Sequence, residues 1–97
     1  MSIGAQMIAA ERTRQIEELG WTNERDAELY PGGRQLALAG AWYALPSFER
    51  SELEEWGMVL WPWSEEWWKP TTATRDLVKA GALIAAAIDL RISQGLE

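Results

Sequence analysis

The stretch "RDLVKAGALIAAAIDLRIS", Arg75 to Ser93, constrains the fold more than any other part of the chain. It holds no proline and is rich in Ala and Leu, so it reads as one long α-helix, capped by Thr72 or Thr74 and running to Gly95. Leu77, Gly81, Ile84, Ile88 and Ile92 recur at spacings of three and four and form a continuous stripe, which predicts the buried face. Gly81 sits mid-helix among alanines, a placement that predicts the close approach of a second helix. Arg75 and Lys79 share a different face, and the i,i+3 spacing of Asp76 and Lys79 predicts an ion pair.

Two further helices are legible. "AQMIAAERTRQIEEL" predicts a helix over residues 2–19, with Ser2 as N-cap and Gly20 as a left-handed terminator. Ile8, Ala9, Arg12, Ile16 and Leu19 share one of its faces, with Gln15 beside that stripe and Glu11, Arg14 and Glu18 round the other side. "RQLALAGAWYAL" predicts a helix over 34–45, apolar nearly all round and so deeply buried, ended by Pro46. Gly40 within it again predicts close helix packing.

The connections are less regular. "GWTNERDAELYPGG", Gly20 to Gly33, carries loop residues and reads mostly as loop, with Thr22 capping a single turn through Asp26. "PGGR" at its end reads as a tight turn before a helix rather than an anion site. "SELE", Ser51 to Glu54, fits a capping box that would start a short acidic helix ending near Trp56. Ser64 is placed to cap a turn beginning with Glu65 and Glu66. No strand-like alternation of useful length is present. The expectation is an all-α fold: residues 1–97 as one domain, a small bundle of three main helices plus one or two short ones, with a Trp-rich core or interface.

Composition removes several functions. The chain has no Cys and no His, so it lacks disulfides, thiolate zinc sites and the Ser-His or Cys-His nucleophile systems. Its net charge of −6 argues against a duplex nucleic-acid binder. No segment approaches a transmembrane span and the N-terminus lacks a basic signal region, which points to a cytoplasmic protein with no membrane partner. No catalytic residue, metal ligand or cofactor is expected. One Glu-x-x-Glu, Glu52 and Glu55, resembles half of the magnesium site of all-α nucleotide pyrophosphatases, and Glu11, Glu18, Asp76 and Asp89 would have to converge elsewhere to complete such an enzyme.

The basic and aromatic residues carry the remaining information. Arg12, Arg75 and Lys79 sit beside apolar positions, and Lys69 follows a tryptophan pair. They form either an internal ion-pair network, with Asp76 the obvious partner of Arg75, or a positive pocket for a phosphate-bearing ligand. Seven tryptophans in 97 residues are exceptional. Trp61, Trp63, Trp67 and Trp68 cannot all point inward from "LWPWSEEWWKP", and an indole left facing outward is a platform for a nucleobase or an anchor for a protein. The candidate ligand-binding set is Arg12, Gln15, Trp21, Trp63, Trp67, Trp68, Lys69, Arg75, Asp76 and Lys79.

"ERTRQIEELGWTNERD" (Glu11–Asp26), "YAL" (Tyr43–Leu45), "WPWSEEWWKP" (Trp61–Pro70) and "RDLVKAGALIAAAID" (Arg75–Asp89) together resemble a family of small phage and prophage proteins. Its pattern runs E-R-x-R-Q-I-x-x-E-G-W-T-x-E-x-D-D, then Y-A, then W-P-W-x-x-x-W-W-K-P, then R-R-D-L-V-K-A-G-A-L-I, and the match covers most of the chain. The family has histidines after Gly-Trp-Thr. This chain has "ERDAELYPGGRQL" there instead, so no role can be carried over from those histidines. The resemblance implies a phage setting and no particular activity. Small phage proteins without catalytic equipment commonly act by binding. The expected function is therefore sequestration of a nucleotide-derived signal of host immunity by a homo-oligomer. The alternatives are an acidic inhibitor of a host protein and the pyrophosphatase-like enzyme.

Overall fold

A computed structural model describes residues 1–96. Among them are five α-helices and two 3-10 turns, with no strand: α1 (Ile3–Leu19), α2 (Asn23–Leu29), α3 (Arg34–Ala44), α4 (Ser47–Glu55) and α5 (Ala73–Ser93). The termini of the long helices follow the sequence logic. The Ser2 hydroxyl accepts from the Ala5 N–H and the Thr72 hydroxyl from the Arg75 N–H, both at 3.1 Å, and Gly20 closes α1 at φ 72°.

α3 and α5 form the central antiparallel pair, and their packing is set by small residues. A Cβ on Gly40 would lie 3.2 Å from the Ala80 carbonyl oxygen and 3.0 Å from Ile84 Cγ1. A Cβ on Gly33 would meet Ala87 just as closely. Across the other side of α5, a Cβ on Gly81 would overlap Ile8 of α1, 2.5 Å from its Cδ1. The close approaches expected at both mid-helix glycines are therefore present.

That closeness overturns the expected buried stripe of α5. The buried apolar residues of α5 are Val78, Ala80, Ala82, Leu83, Ala86, Ala87 and Leu90; Ala80, Leu83, Ala86, Ala87 and Leu90 form one cluster with Leu36, Ala39 and Tyr43 of α3. Leu77, Ile84, Ile88 and Ile92 are exposed on the outer face. Helices in near-contact leave room for methyl groups and little else, so alanines mark the inside and large aliphatics remain outside. α1 departs in the same way. Ile16 and Leu19 are exposed, whereas Glu11, Arg12 and Gln15 are its buried residues, so Glu11 does not lie on the solvent face.

Three local expectations are also corrected. Gly20–Gly33 is not mostly loop. Thr22 accepts from the Arg25 N–H at 3.2 Å and starts a helix that carries to Leu29, followed by a 3-10 turn at Pro31–Gly33. α4 begins at Ser47, directly after Pro46, so Ser51 and Glu54 lie inside it and form no capping box. Ser64 precedes the 3-10 turn Glu65–Trp67 without a side-chain cap; its carbonyl accepts instead from the Trp67 N–H and from Trp61 Nε1. Among the described residues no helix is long and apolar enough to cross a membrane.

Candidate functional site

The Trp-rich segment folds back over α3 and α5. Trp61 is the hub of its aromatic cluster: Trp63, Trp68 and Tyr43 lie 5.2, 5.1 and 5.5 Å away, centroid to centroid. Trp63 extends the cluster to Tyr30 at 5.2 Å, and Trp68 extends it to Trp42 at 6.5 Å. Three polar bonds hold the segment down. Trp63 Nε1 donates to Gln35 at 2.9 Å, the Lys69 N–H donates to the Tyr43 hydroxyl at 3.1 Å, and Lys79 Nζ donates to the Lys69 carbonyl at 2.7 Å. Burial raises the Tyr43 hydroxyl above the usual phenol range, so it stays protonated in this position.

Between this segment, α1, α2 and α5 lies a cavity of about 700 Å³. That size lies within the range of small-molecule ligand pockets, about 300–1,000 Å³. α1 contributes Glu11, Arg12, Arg14 and Gln15 to its wall, and the α2 region contributes Trp21, Arg25, Asp26 and Tyr30. Lys79, Leu83 and Ala86 of α5 face it, with Trp61, Trp63, Trp67 and Lys69 on the fourth side. All of these lining residues come from one chain.

Its charge is opposite to that of the protein. Five of the nine Lys and Arg residues line it, against two of the fifteen carboxylates, so a chain of net −6 encloses a cavity of formal +3. One carboxylate is already committed. Glu11 accepts from Arg14 Nε and Nη2 at 2.9 and 3.0 Å, from Gln15 at 3.2 Å, and from Arg75. Burial pushes the Glu11 carboxyl up, but these cations and hydrogen bonds outweigh it and hold it below the ordinary carboxylate value. Asp26 is the reverse case. Burial dominates Arg12 and Arg25 and raises its pKa. Arg12 donates to the Trp21 carbonyl at 3.1 Å and approaches Asp89 at 3.6 Å. Lys69 and Lys79 face the cavity with no carboxylate within ion-pair distance among the described residues.

Seven of the ten residues singled out by sequence meet here: Arg12, Gln15, Trp21, Trp63, Trp67, Lys69 and Lys79. The other three do not line the cavity. Trp68 is packed in the aromatic cluster with Arg50 stacked on it at 4.8 Å. Asp76 accepts from the Thr71 N–H at 2.8 Å and so fixes the entry to α5, pairing with neither Arg75 nor Lys79. Arg75 acts behind the wall, through Glu11. Sequence reasoning missed Glu11, Arg14, Arg25 and Asp26. The signal for the last two was Thr22 as a helix cap, which fixes where the α2 side chains point. The remaining acidic residues disperse: Glu18 pairs with Arg14 and Asp89 with Arg12, and among the described residues no three metal-ligating side chains converge. No family model, curated protein or solved structure matches the chain.

Proposed function

We propose that the protein captures a small, nucleotide-derived anion in the cavity between α1, α2, α5 and the Trp-rich segment, and holds it without turning it over. The single observation that carries this is the confinement of positive charge. A chain this acidic concentrates five cations around one aromatic-walled space, where their fields add and favour a phosphate over other solutes. Trp21 and Trp67 flank that space and pair with no other ring among the described residues; Arg25 lies over the Trp21 ring at 5.8 Å, and the exposed Trp67 offers the freer face to a base. Stacking on such a platform contributes on the order of 1–3 kcal/mol per base. Taken with the resemblance to phage proteins, the reading is sequestration of a nucleotide signal of host immunity, in the cytoplasm of an infected or lysogenic bacterium. The test is incubation with a panel of cyclic and linear nucleotides and ADP-ribose derivatives, followed by mass analysis of the bound and free fractions. Capture predicts intact ligand recovered from the denatured protein. Conversion to products, or no bound species across the panel, contradicts it.

The outer face of α5 supports a homo-oligomer. Leu77, Ile84, Ile88 and Ile92 run along it, all exposed. A second copy of the same chain can cover such a face by antiparallel pairing of two α5 helices, toward the roughly 800 Å² per partner of a standard interface. Sedimentation of Ile88→Glu/Ile92→Glu as a monomer, with the parent chain a dimer or larger, is the expected result. A monomeric parent chain contradicts the pairing.

A second reading, contact with a host protein, is favoured by α4. Phe48, Trp56, Met58 and Val59 are exposed on and just after a helix that packs little against the other elements and carries Glu49, Glu52, Glu54 and Glu55. Capture of one dominant host protein, abolished by Trp56→Ala, would support this reading over the first.

A further inference from the structure

A second pocket, of about 430 Å³, opens between the α3–α4 corner and the entry to α5. Two buried charged groups line it: Arg50 of α4 is 9% exposed and Asp76 of α5 6% exposed. Arg50 rests on the Trp68 ring, and among the described residues its guanidinium donates no hydrogen bond and pairs with no carboxylate. Glu54 stands one turn further along the same helix and still forms no ion pair with it. Asp76 commits one oxygen only: Oδ1 accepts from the Thr71 N–H, and Oδ2 has no partner. Neither charge is sealed away, because the Arg50 nitrogens and Asp76 Oδ2 keep accessible surface. The Tyr43 hydroxyl, raised chiefly by burial, feels both groups: Asp76 pushes it further up and Arg50 pulls it down. Buried charges are almost always paired. Here a guanidinium and a carboxylate face one pocket without meeting, so what fits between them presents an acceptor to one and a donor to the other.

We propose that this pocket is a second ligand site, which takes a small zwitterion such as an amino acid with an apolar side chain, its carboxylate on Arg50 and its ammonium on Asp76. The planar fork of a guanidinium matches a carboxylate, and contact with the Trp68 ring holds it in place without using its donors as hydrogen bonds to oxygen. α4 begins with no side-chain cap, and Pro46 and Ser47 at that end line the pocket, so the positive end of the helix adds to the same attraction. Leu45, Pro46, Trp68 and Pro70 offer apolar wall to the side chain. A nucleotide does not suit the site. Arg50 is outnumbered by Glu54 and Asp76, a formal −1 against the +3 of the larger cavity, so a multiply charged phosphate is repelled. The site therefore stands apart from the nucleotide reading.

The experiment adds L-phenylalanine, phenethylamine and hydrocinnamate separately, at millimolar concentration, to the 15N-labelled full chain and follows the Trp68 indole N–H. Trp68 lines this pocket and not the larger cavity, so its signal separates the two sites. L-phenylalanine should shift Trp68 saturably. Phenethylamine, which lacks the carboxylate, and hydrocinnamate, which lacks the ammonium, should each bind on the order of tenfold more weakly, the scale of one charge-assisted hydrogen bond. Arg50→Met should abolish the response to L-phenylalanine. The comparison of the three ligands on the parent chain needs no variant, so a misfolded Arg50→Met does not blunt it. Trp68 unmoved by all three, or shifts confined to Trp21, Trp63 and Trp67, overturns the site. Hydrocinnamate binding as well as L-phenylalanine overturns the role of Asp76, and phenethylamine binding as well overturns that of Arg50.

Discussion

Lys79 Nζ donates to the backbone carbonyl of Lys69 at 2.7 Å, so one lysine of the cavity ties down the segment that carries the other. The two cations differ in what their removal does. Lys69→Met removes charge and leaves the main-chain acceptor in place. Lys79→Met removes charge and the tether together. Each should weaken nucleotide binding on the order of tenfold, the scale of one charge-assisted hydrogen bond. Only Lys79→Met should also loosen the Trp-rich segment. Titration calorimetry reads the first effect, and hydrogen exchange of the Lys69 amide reads the second.

Asp26 and Glu11 respond to pH in opposite directions. Burial raises Asp26, so the folded state favours its protonated form. Its contribution to stability is present below the unfolded-state value and is lost as pH rises through the folded one. Asp26→Asn should therefore raise the melting temperature at pH 7. Glu11 is held low. Its stabilisation is present above the unfolded-state value and is lost as pH falls through the folded one, so Glu11→Gln should flatten the acid limb of the stability curve. Thermal melts from pH 3 to pH 8 check both signs.

Gly81 and Ile8 define the contact between α5 and α1. In the parent chain Gly81→Ala should destabilise, because its Cβ would overlap Ile8, even though Ala gains up to about 1 kcal/mol of helix propensity over Gly. With Ile8→Ala in place the overlap is gone, and the same substitution should stabilise. A double-mutant cycle by denaturant unfolding measures this reversal of sign.

The two faces of α5 separate just as cleanly. Leu90 is fully buried, so Leu90→Ala should cost about 2–5 kcal/mol. Ile88 is exposed, and in a dilute monomeric sample Ile88→Ala should change stability by under about 0.5 kcal/mol. Urea midpoints of the two variants decide which stripe faces the core.

That pair also shows what was legible in the sequence. The caps at Ser2, Thr22 and Thr72, the close approaches at Gly40 and Gly81, and the boundaries of α1, α3 and α5 follow from local chemistry and can be read directly. Which face of a helix is buried does not, when the neighbour is near enough that alanine fills the gap: the pattern at Leu77, Ile84, Ile88 and Ile92 is a true apolar stripe on the wrong side. Most of the candidate site was legible because scarce residue types carry it. Gln15, the lysines and the tryptophans could be named from their positions in the pattern. Arg25 and Asp26 could not, because reading Gly20–Gly33 as loop discarded the helix that aims them. The destinations of Arg75 and Asp76 were hidden for another reason. Their partners, Glu11 and the Thr71 N–H, are chosen by helix packing and chain entry, and the helix spacing that suggested Arg75–Asp76 and Asp76–Lys79 pairs does not encode them.

The seven tryptophans give the most direct measurement, because their indole N–H signals can be followed one by one in a 15N-correlated NMR spectrum as nucleotide is added. Binding in the cavity should shift Trp21, Trp61, Trp63 and Trp67, which line it, and leave Trp56 on the far end of α4 unmoved. Saturating nucleotide that moves none of the four, or that moves Trp56 alone, would contradict the cavity as the binding site.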